Sequence, residues 1–402
     1  MKLSLITSFG LLVLFYFFNN FMLPFGLKYS IILSPFMFYY LKVDNNLSYL
    51  KLPILIVFSF SVIHFILGVN FSSFIVSIIL AILLIIYISA FTNFYKKTDY
   101  LEFYFEKLTQ FNFIFTCIAI VSLFFNKLVT VFWYLVPFTP GHDPIPRLKL
   151  FETEASVYSF VLLPLFFYYF WTILTNYTTK SFLLFLSLVL SLIMSFSMGV
   201  MAVVILSICF VFITFLIKII KFKPTRQSIL ILILLFSLGF ILTYLFYPNN
   251  PLFFRIENII SGADTSGRGR TYESFEIAWL TLKENNYFFG VGMGQFKIIG
   301  RDILIFYYKF MGVPEIARIP NGMAETLITF GVLGFILRIL IQLILFVKCK
   351  VYTNIFQLSL FYAVFIYQFT GSHLLNEIEY VLWVIIFIPK FNAFNTLFYF
   401  KS

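Results

Sequence analysis

Charge is what this sequence has least of. Asp, Glu, Lys and Arg together fill 11% of 402 positions, against roughly 25% in a soluble domain, while hydrophobic residues fill 61%. A chain with so little polar surface cannot meet water on all sides, which excludes an ordinary soluble globule and leaves lipid as the outer solvent. Cysteine is nearly absent too. Cys117, Cys209 and Cys349 all lie in or beside apolar runs, so there is neither a disulfide framework nor a thiolate pair at C-x-x-C spacing. Asp, His and Cys nowhere gather as a ligand cluster, and neither a metal nor a cofactor is expected. The first apolar stretch, Leu3 to Leu23, lacks a small-residue cleavage site and is too long for a signal peptide; it is read as a retained first span.

What is present is a succession of apolar runs. A span needs about 20 apolar residues, within a range of about 17 to 25. Candidates fall at 3–23, 27–41, 52–69, 73–92, 108–125, 154–175, 181–196, 199–219, 228–247, 323–347, 353–370 and 379–398. The expected fold class is all-α: a polytopic transmembrane helix bundle of about twelve spans, one membrane domain over 1–402. A smaller outer loop at 126–153 and a large extracytoplasmic loop at 248–322 interrupt it. Pro389 and Lys390 break into the twelfth run, and only Ser197, Met198 and Gly199 separate the seventh from the eighth. The net charge of +11 follows from where the cations sit and needs no nucleic-acid partner. With the N-terminus cytoplasmic, the inner side carries fifteen cations and the short outer loops four, Lys28, Lys127, Arg147 and Lys149. The positive-inside rule, counted over short loops, therefore puts 248–322 outside.

Arginine is distributed differently from lysine. Of eight arginines, Arg147, Arg255, Arg268, Arg270, Arg301 and Arg318 fall on the outer side, Arg226 inside, and Arg338 within the tenth run. Topology needs only positive charge, whereas the planar guanidinium fork binds phosphate or carboxylate through two hydrogen bonds. The outer face thus reads as built to hold an anion. The plainer alternative pairs these arginines with the loop's own acids, among them Glu257, Glu273, Glu276 and Glu315. In the smaller loop, Pro137, Pro140, Pro144 and Pro146 lead to Arg147 and Glu154, and their density predicts an extended path rather than helix. His142 can titrate near neutral pH, though a solvated histidine beside an interfacial salt bridge is the simpler reading.

In the large loop, Ser261 to Arg270 is glycine-rich and can present backbone N–H groups as an anion nest beside Arg268 and Arg270. Tyr272, Phe275, Trp279 and Leu282 then recur at helical spacing and predict an amphipathic helix over 271–286, its N-terminus at the arginines. Its Trp and Tyr suit the headgroup layer. Gly290-Val-Gly292-Met-Gly294 has no preceding strand and is not a dinucleotide fingerprint; a tight turn is the first reading and ligand contact the second. A second amphipathic stretch, Phe296 to Phe310, leads into the tenth run. There Arg338 is costly, at roughly 2.5 to 3.5 kcal/mol for an arginine at a helix centre, and is placed to snorkel inward. His64 and Glu325 are further buried polar candidates.

Three sets of residues carry a resemblance. Arg147 with Glu154 at the start of a span, Ser266-Gly-Arg268-Gly-Arg270 ahead of a helix and Phe289-Gly290-Val-Gly292-Met-Gly294-Gln-Phe296, and Asn321-Gly-Met-Ala-Glu325 leading to Gly331 and Gly334 resemble motifs of the Wzy-type O-antigen and capsule polymerases and the related O-antigen ligases. The match of span count and loop placement covers nearly the whole chain. Ala155 replaces the proline that usually follows the glutamate, Met198 stands where an arginine is common, and Pro320 stands where the ligases carry histidine.

The resemblance implies a glycosyltransferase that polymerises undecaprenyl-diphosphate-linked oligosaccharide repeat units at the outer face of the bacterial cytoplasmic membrane. Lipid-linked glycan would be both donor and acceptor, with membrane lipid around it and a chain-length regulator as a further candidate partner. Negative charge builds on the departing diphosphate, and preplaced arginines can meet it without metal. Arg147 and Arg270, with Glu154 or Glu325 as base, are the candidate catalytic residues. Arg255, Arg268, Arg318, Asn321, Gly290 and Gly292 are the candidate substrate-binding residues. Pro320 favours a polymerase over a ligase that transfers glycan to lipid A core. A lipid-linked-oligosaccharide flippase is the remaining alternative, but transporters often show internal repeats, no convincing repeat relates the two halves here, and so long a loop is unusual for a simple carrier.

Overall fold

The computed structural model describes residues 5–19, 28–136, 145–219, 257–258, 261, 265–310, 312, 317–371 and 373–397. Most of them are helical. The first five helices are α1 (Leu5–Phe18), α2 (Tyr29–Val43), α3 (Ser48–Leu67), α4 (Phe71–Lys97) and α5 (Leu101–Ser122). A short helix, α6 (Asn126–Phe132), then runs into a two-stranded antiparallel ribbon, β1 (Trp133–Tyr134) with β2 (Arg147–Leu148), in which Tyr134 faces Arg147. After the ribbon come α7 (Ala155–Val161), α8 (Leu163–Thr175), α9 (Thr179–Ser195) and α10 (Met198–Ile219). The loop region holds α11 (Thr265–Arg270), α12 (Tyr272–Glu284) and α13 (Phe296–Tyr308), and the chain closes with α14 (Gly322–Lys348), α15 (Ile355–Tyr367) and α16 (Glu377–Phe387).

Local chemistry sets many of these boundaries. Asn70, Asn321, Asn354 and Asn376 each accept hydrogen bonds from backbone N–H groups in the first turn of α4, α14, α15 and α16, and Thr178 and Ser181 cap α9 reciprocally. Phe196, left-handed at φ 44°, makes the tight connection from α9 to α10. The sequence of α8 is apolar all round, and the helix is accordingly buried all round, packed on α9 and α15.

Among the described residues, three helices, Ser48–Leu67, Phe71–Lys97 and Gly322–Lys348, are by length and composition apolar enough to cross a membrane, and Ala155–Val161 with Leu163–Thr175, bent by 46°, is either a broken span or a re-entrant loop. The twelve-span expectation is thus met only in part. The eleven residues of α16 stop at Phe387, before Pro389, and reach about 16 Å, well short of the twelfth span expected over 379–398. The ninth expected span, 228–247, and Pro137, Pro140, His142 and Pro144 lie outside the described residues. Residues 126–132, expected extended, are helical because the prolines begin only after them. The nest expected over 261–270 is, at 265–270, a helical turn, whereas the two amphipathic helices of the loop stand where their spacing put them.

Polar contacts sort the connections into two ends. At one, Lys28 pairs with Glu377 at 2.8 Å, the Asn19 amide donates to Glu152 at 2.9 Å, and Leu374 N–H donates to Glu325 at 2.6 Å. At the other, Lys97 pairs with Asp44, Lys180 with Glu106 and Lys390 with Asp99, at 2.9, 2.6 and 2.9 Å. These are the same two sets of loops that strict alternation of spans would separate.

The main irregularity is inside α14. Gly331 has φ 67° and ψ −168°, a break in the helix. A straight helix would hold Gly322 and Arg338 about 24 Å apart, yet the Arg338 guanidinium donates to the Gly322 carbonyl at 3.1 Å and to Thr326 Oγ1 at 2.5 Å. The stretch 322–330 is therefore folded back on 332–338. Such a break removes the helical bonds from residues 332 and 333 to the carbonyls of 328 and 329. All four groups find partners in the glycine loop: Val291 and Gly292 donate to Ile328 and Thr329 at 2.9 and 3.0 Å, while Val332 and Leu333 donate to Tyr287 and Phe288 at 3.1 and 3.2 Å. Two backbones this close leave no room for a side chain. A Cβ on Gly331 would lie 2.3 Å from the Phe288 carbonyl oxygen, and one on Gly290 2.4 Å from that of Ile328.

Two predictions follow from this frame. Gly331→Ala should cost at least about 1–3 kcal/mol from backbone strain alone, lowering the thermal midpoint of the purified protein. Gly199→Ala, which meets nothing within 4 Å, should leave the midpoint unchanged. At the opposite end, burial pushes the Asp44 carboxyl up, but hydrogen bonds, those of Lys97 and Asn93 among them, and the Lys97 charge outweigh it and bring the carboxyl down to about 2. A depressed carboxylate stabilises the fold above its ordinary value of 3.8, and that contribution is lost as pH falls toward the folded value. Lys97→Met should move the acid loss of structure, followed by circular dichroism, to higher pH.

Candidate active site at one end of the bundle

The end of the bundle that gathers Glu154, Asn321, Glu325 and Arg270 is built around the first turn of α14. Asn321 is fully buried, and each part of its side chain is used. Its Oδ1 caps the amides of Met323 and Ala324 at 3.1 and 2.9 Å, and its Nδ2 donates to the carbonyls of Arg270 and Phe369 at 2.8 and 2.6 Å. One side chain thus joins the end of α11, the start of α14 and the turn after α15. The Met323 amide also donates to the Gln368 carbonyl at 3.1 Å. Tyr367, at the end of α15, stacks on Phe160 of α7 at 4.0 Å between ring centres. The Phe160 stack brings the end of α15 to α7, which Glu154 opens, and the Asn321 bonds bring the turn after α15 to the end of α11, where Arg270 sits.

The arginines are not equivalent. Arg268 pairs with Glu273 at 3.0 Å, the loop-acid pairing weighed from the sequence. Glu273 in turn accepts from Tyr308 at 3.0 Å, and Glu276 accepts from Tyr307. Arg338 does not snorkel. It pairs with Glu379 at 2.5 Å, both side chains nearly or wholly buried, and Trp383 Nε1 donates to the same carboxylate oxygen at 3.2 Å. Half-buried Arg270, by contrast, makes no ion pair among the described residues. Arg147 lies on the ribbon just ahead of α7, its guanidinium 4.7 Å from the Tyr134 ring centre. Arg318 is exposed three residues before Asn321, and Arg255 lies outside the described residues.

The two candidate bases differ in what they already hold. Glu325 accepts the Leu374 amide at 2.6 Å, which ties it to the turn after α15. Glu154 is exposed and, among the described residues, takes a bond from the Ser156 hydroxyl, at 3.1 Å, two residues on. Gly290 and Gly292 occupy the break in α14, and Gly292 also packs on His64, whose Nε2 is 2.7 Å from the Phe289 carbonyl. His64 thereby ties α3 to the glycine loop. Among the described residues, no group of three or more His, Cys, Asp or Glu side chains could hold a metal ion.

Residues 182–339 match the family model Wzy_C, O-antigen ligase. That match supports membership of the O-antigen polymerase/ligase superfamily. It spans α9 to the middle of α14, and so includes Arg268, Arg270, the glycine loop, Asn321, Glu325 and the break at Gly331. No curated protein matches the chain. Together with its apolar helices, the family points to an integral membrane protein.

Sequence reading missed two participants, Tyr367 and Glu379. Glu379 sits in a run that reads as a span, and a carboxylate there signals a partner; the partner is Arg338. Removing one member of such a buried pair costs about 3–5 kcal/mol. Glu379→Gln and Arg338→Met should each lower the thermal midpoint strongly, and the double variant should lose less than the sum of the two.

Proposed function

We propose that the chain is a glycosyltransferase that polymerises oligosaccharide repeat units carried on undecaprenyl diphosphate, working on the outer side of the bacterial cytoplasmic membrane. The observation that carries the reading is Arg270, a half-buried residue without an ion pair among the described residues, whose backbone carbonyl the Asn321 cap ties to the start of α14 and the turn after α15. In the reaction, an acceptor hydroxyl of one repeat unit attacks the anomeric carbon of the donor. The new C–O bond forms as the bond to the lipid diphosphate breaks, the diphosphate leaves with the electron pair, and the hydroxyl proton passes to a base. Arg270 and Arg147 meet the charge on the leaving diphosphate as two-pronged donors. Glu154, less committed than Glu325, takes the proton, while Glu325 holds the turn after α15 in place. Arg255 and Arg318 extend the cationic approach to the site, with Arg268 held through Glu273, while the amides of Gly290 and Gly292 are already given to the carbonyls of Asn286 and Thr329.

The second reading is an O-antigen ligase, which would share the donor chemistry and place the glycan on lipid A core; the family description supports it. Pro320, where the resemblance leads one to expect a ligase histidine, favours the polymerase. A chain-length regulator would act on the product and leaves the chemistry unchanged.

Purified protein given a defined lipid-linked repeat unit, with a chelator present, should yield ladders of two or more units. A requirement for lipid A core would select the ligase, and loss of activity with the chelator would remove metal independence. Arg270→Ala should lower turnover by on the order of 10²–10³-fold, with Arg270→Lys recovering only part because the fork is lost. If Arg270→Lys and Arg147→Lys, and both alanine variants, all polymerise normally, the site is elsewhere.

A further inference from the structure

Helix α13 has two apolar faces. One, with Phe296, Gly300, Ile303 and Leu304, is buried against α12 and the start of α14. The opposite face exposes Ile298 at 45% and Phe306 at 70%, and Phe310, just past the helix end, is exposed at 62%. A soluble surface would leave these side chains facing water, and Lys297, Arg301 and Lys309 stand exposed among them with Asp302 as the accompanying acid.

The position of the helix identifies what lies against that face. Its start is fixed to the corner between α3 and α4. The Asn70 amide donates to Gln295 Oε1 at 2.8 Å, and Gln295 Nε2 donates back to the Asn70 carbonyl at 3.1 Å. Gly294, two residues before α13, is pressed against α4, where a Cβ on it would lie 2.3 Å from Ser77 Oγ. Ser77 is about 9 Å along α4 from its first residue. Both α3 and α4 are long and apolar enough to span a bilayer, and the twenty residues of α3 cover about the 30 Å of a hydrocarbon core. The corner therefore sits close to the edge of the hydrocarbon, and α13 leaves from that level. A helix at this depth, with an apolar outer face and basic residues around it, has the composition of one that lies in the plane of the interface.

We infer that α13 rests on the bilayer itself, with Ile298, Phe306 and Phe310 in the boundary between headgroups and acyl chains and Lys297, Arg301 and Lys309 against anionic phospholipid headgroups. The inference is independent of the glycosyl-transfer reading. It makes α13 a float that sets the height of the loop region over the leaflet from which α3 and α4 emerge.

The test uses the full chain with Cys117, Cys209 and Cys349 replaced by serine, Phe306→Cys labelled with an environment-sensitive fluorophore, and reconstitution into phosphatidylcholine vesicles with or without phosphatidylglycerol. The expected result is blue-shifted emission, quenched by nitroxides at headgroup and shallow acyl depths, with stronger quenching when phosphatidylglycerol is present. The K297E/R301E/K309E triple variant should lose that lipid dependence. Emission typical of water, with iodide quenching equal to that at Glu284→Cys, would overturn the inference. So would shielding from both quenchers, which marks a protein partner, or insertion indifferent to phosphatidylglycerol. Ile298→Cys reads the same outcomes should Phe306→Cys fail to fold.

Discussion

Four backbone hydrogen bonds hold the rest of the loop region in place: the exchange in which residues 287–292 take over the donors and acceptors that the break at Gly331 sets free. In lipid or in a packed interior, an unpaired amide or carbonyl is expensive, so a helix can be broken there only if something else completes its bonding. The glycine loop does so with the same register the helix would have used. Since neither backbone can tolerate a Cβ at the contact, glycine is required at 290 and 331 on steric grounds alone. The fold-back in turn brings Arg338 to the first turn of α14, and that turn carries the asparagine that holds the carbonyl of Arg270. Long-range geometry at the site thus descends from a local backbone exchange.

Electrostatics at this end follow a division of labour. Arg338 is buried and satisfied by a carboxylate, a hydroxyl and a carbonyl, an arrangement whose use is to lock elements together. Arg268 is largely exposed and pairs with Glu273, a buried acid five residues on that also accepts from Tyr308. Arg270 is left without such a partner among the described residues. Its backbone is held by Asn321, so what ordering the guanidinium would still cost is side-chain rotamer freedom. Among the described residues, the three arginines are thus told apart by the partners each has.

Much of the architecture was legible in the sequence because it is local. The spacing of Tyr272, Phe275, Trp279 and Leu282 and the amphipathic stretch from Phe296 depend on neighbours within a few residues and appear where expected, while the tight turn expected over 197–199 falls at Phe196 and Ser197, because Met198 already opens α10. The candidate motifs also mark real structural junctions: Asn321 is a cap, and Gly290 and Gly331 are contact glycines. What could not be read depends on distant partners. The fold-back of α14 needs carbonyls some forty residues upstream. The fate of Arg338 turns on Glu379, and the place of Arg270 on an asparagine from another helix and a phenol at the end of α15. The nest expected over 261–270 failed for a different reason, since glycine permits a nest without requiring one and residues 265–270 close a helical turn instead.

Helix α16 begins with two glutamates separated by one residue, and on a helix such neighbours point roughly 200° apart. Glu377 reaches Lys28 and Ser30 at the head of α2, while Glu379 reaches Arg338 in α14. The helix is therefore keyed like a shaft with two splines. It cannot turn about its own axis without withdrawing one carboxylate from a cation, so α2 and α14, which lie some three hundred positions apart in the chain, can shift only in concert with it.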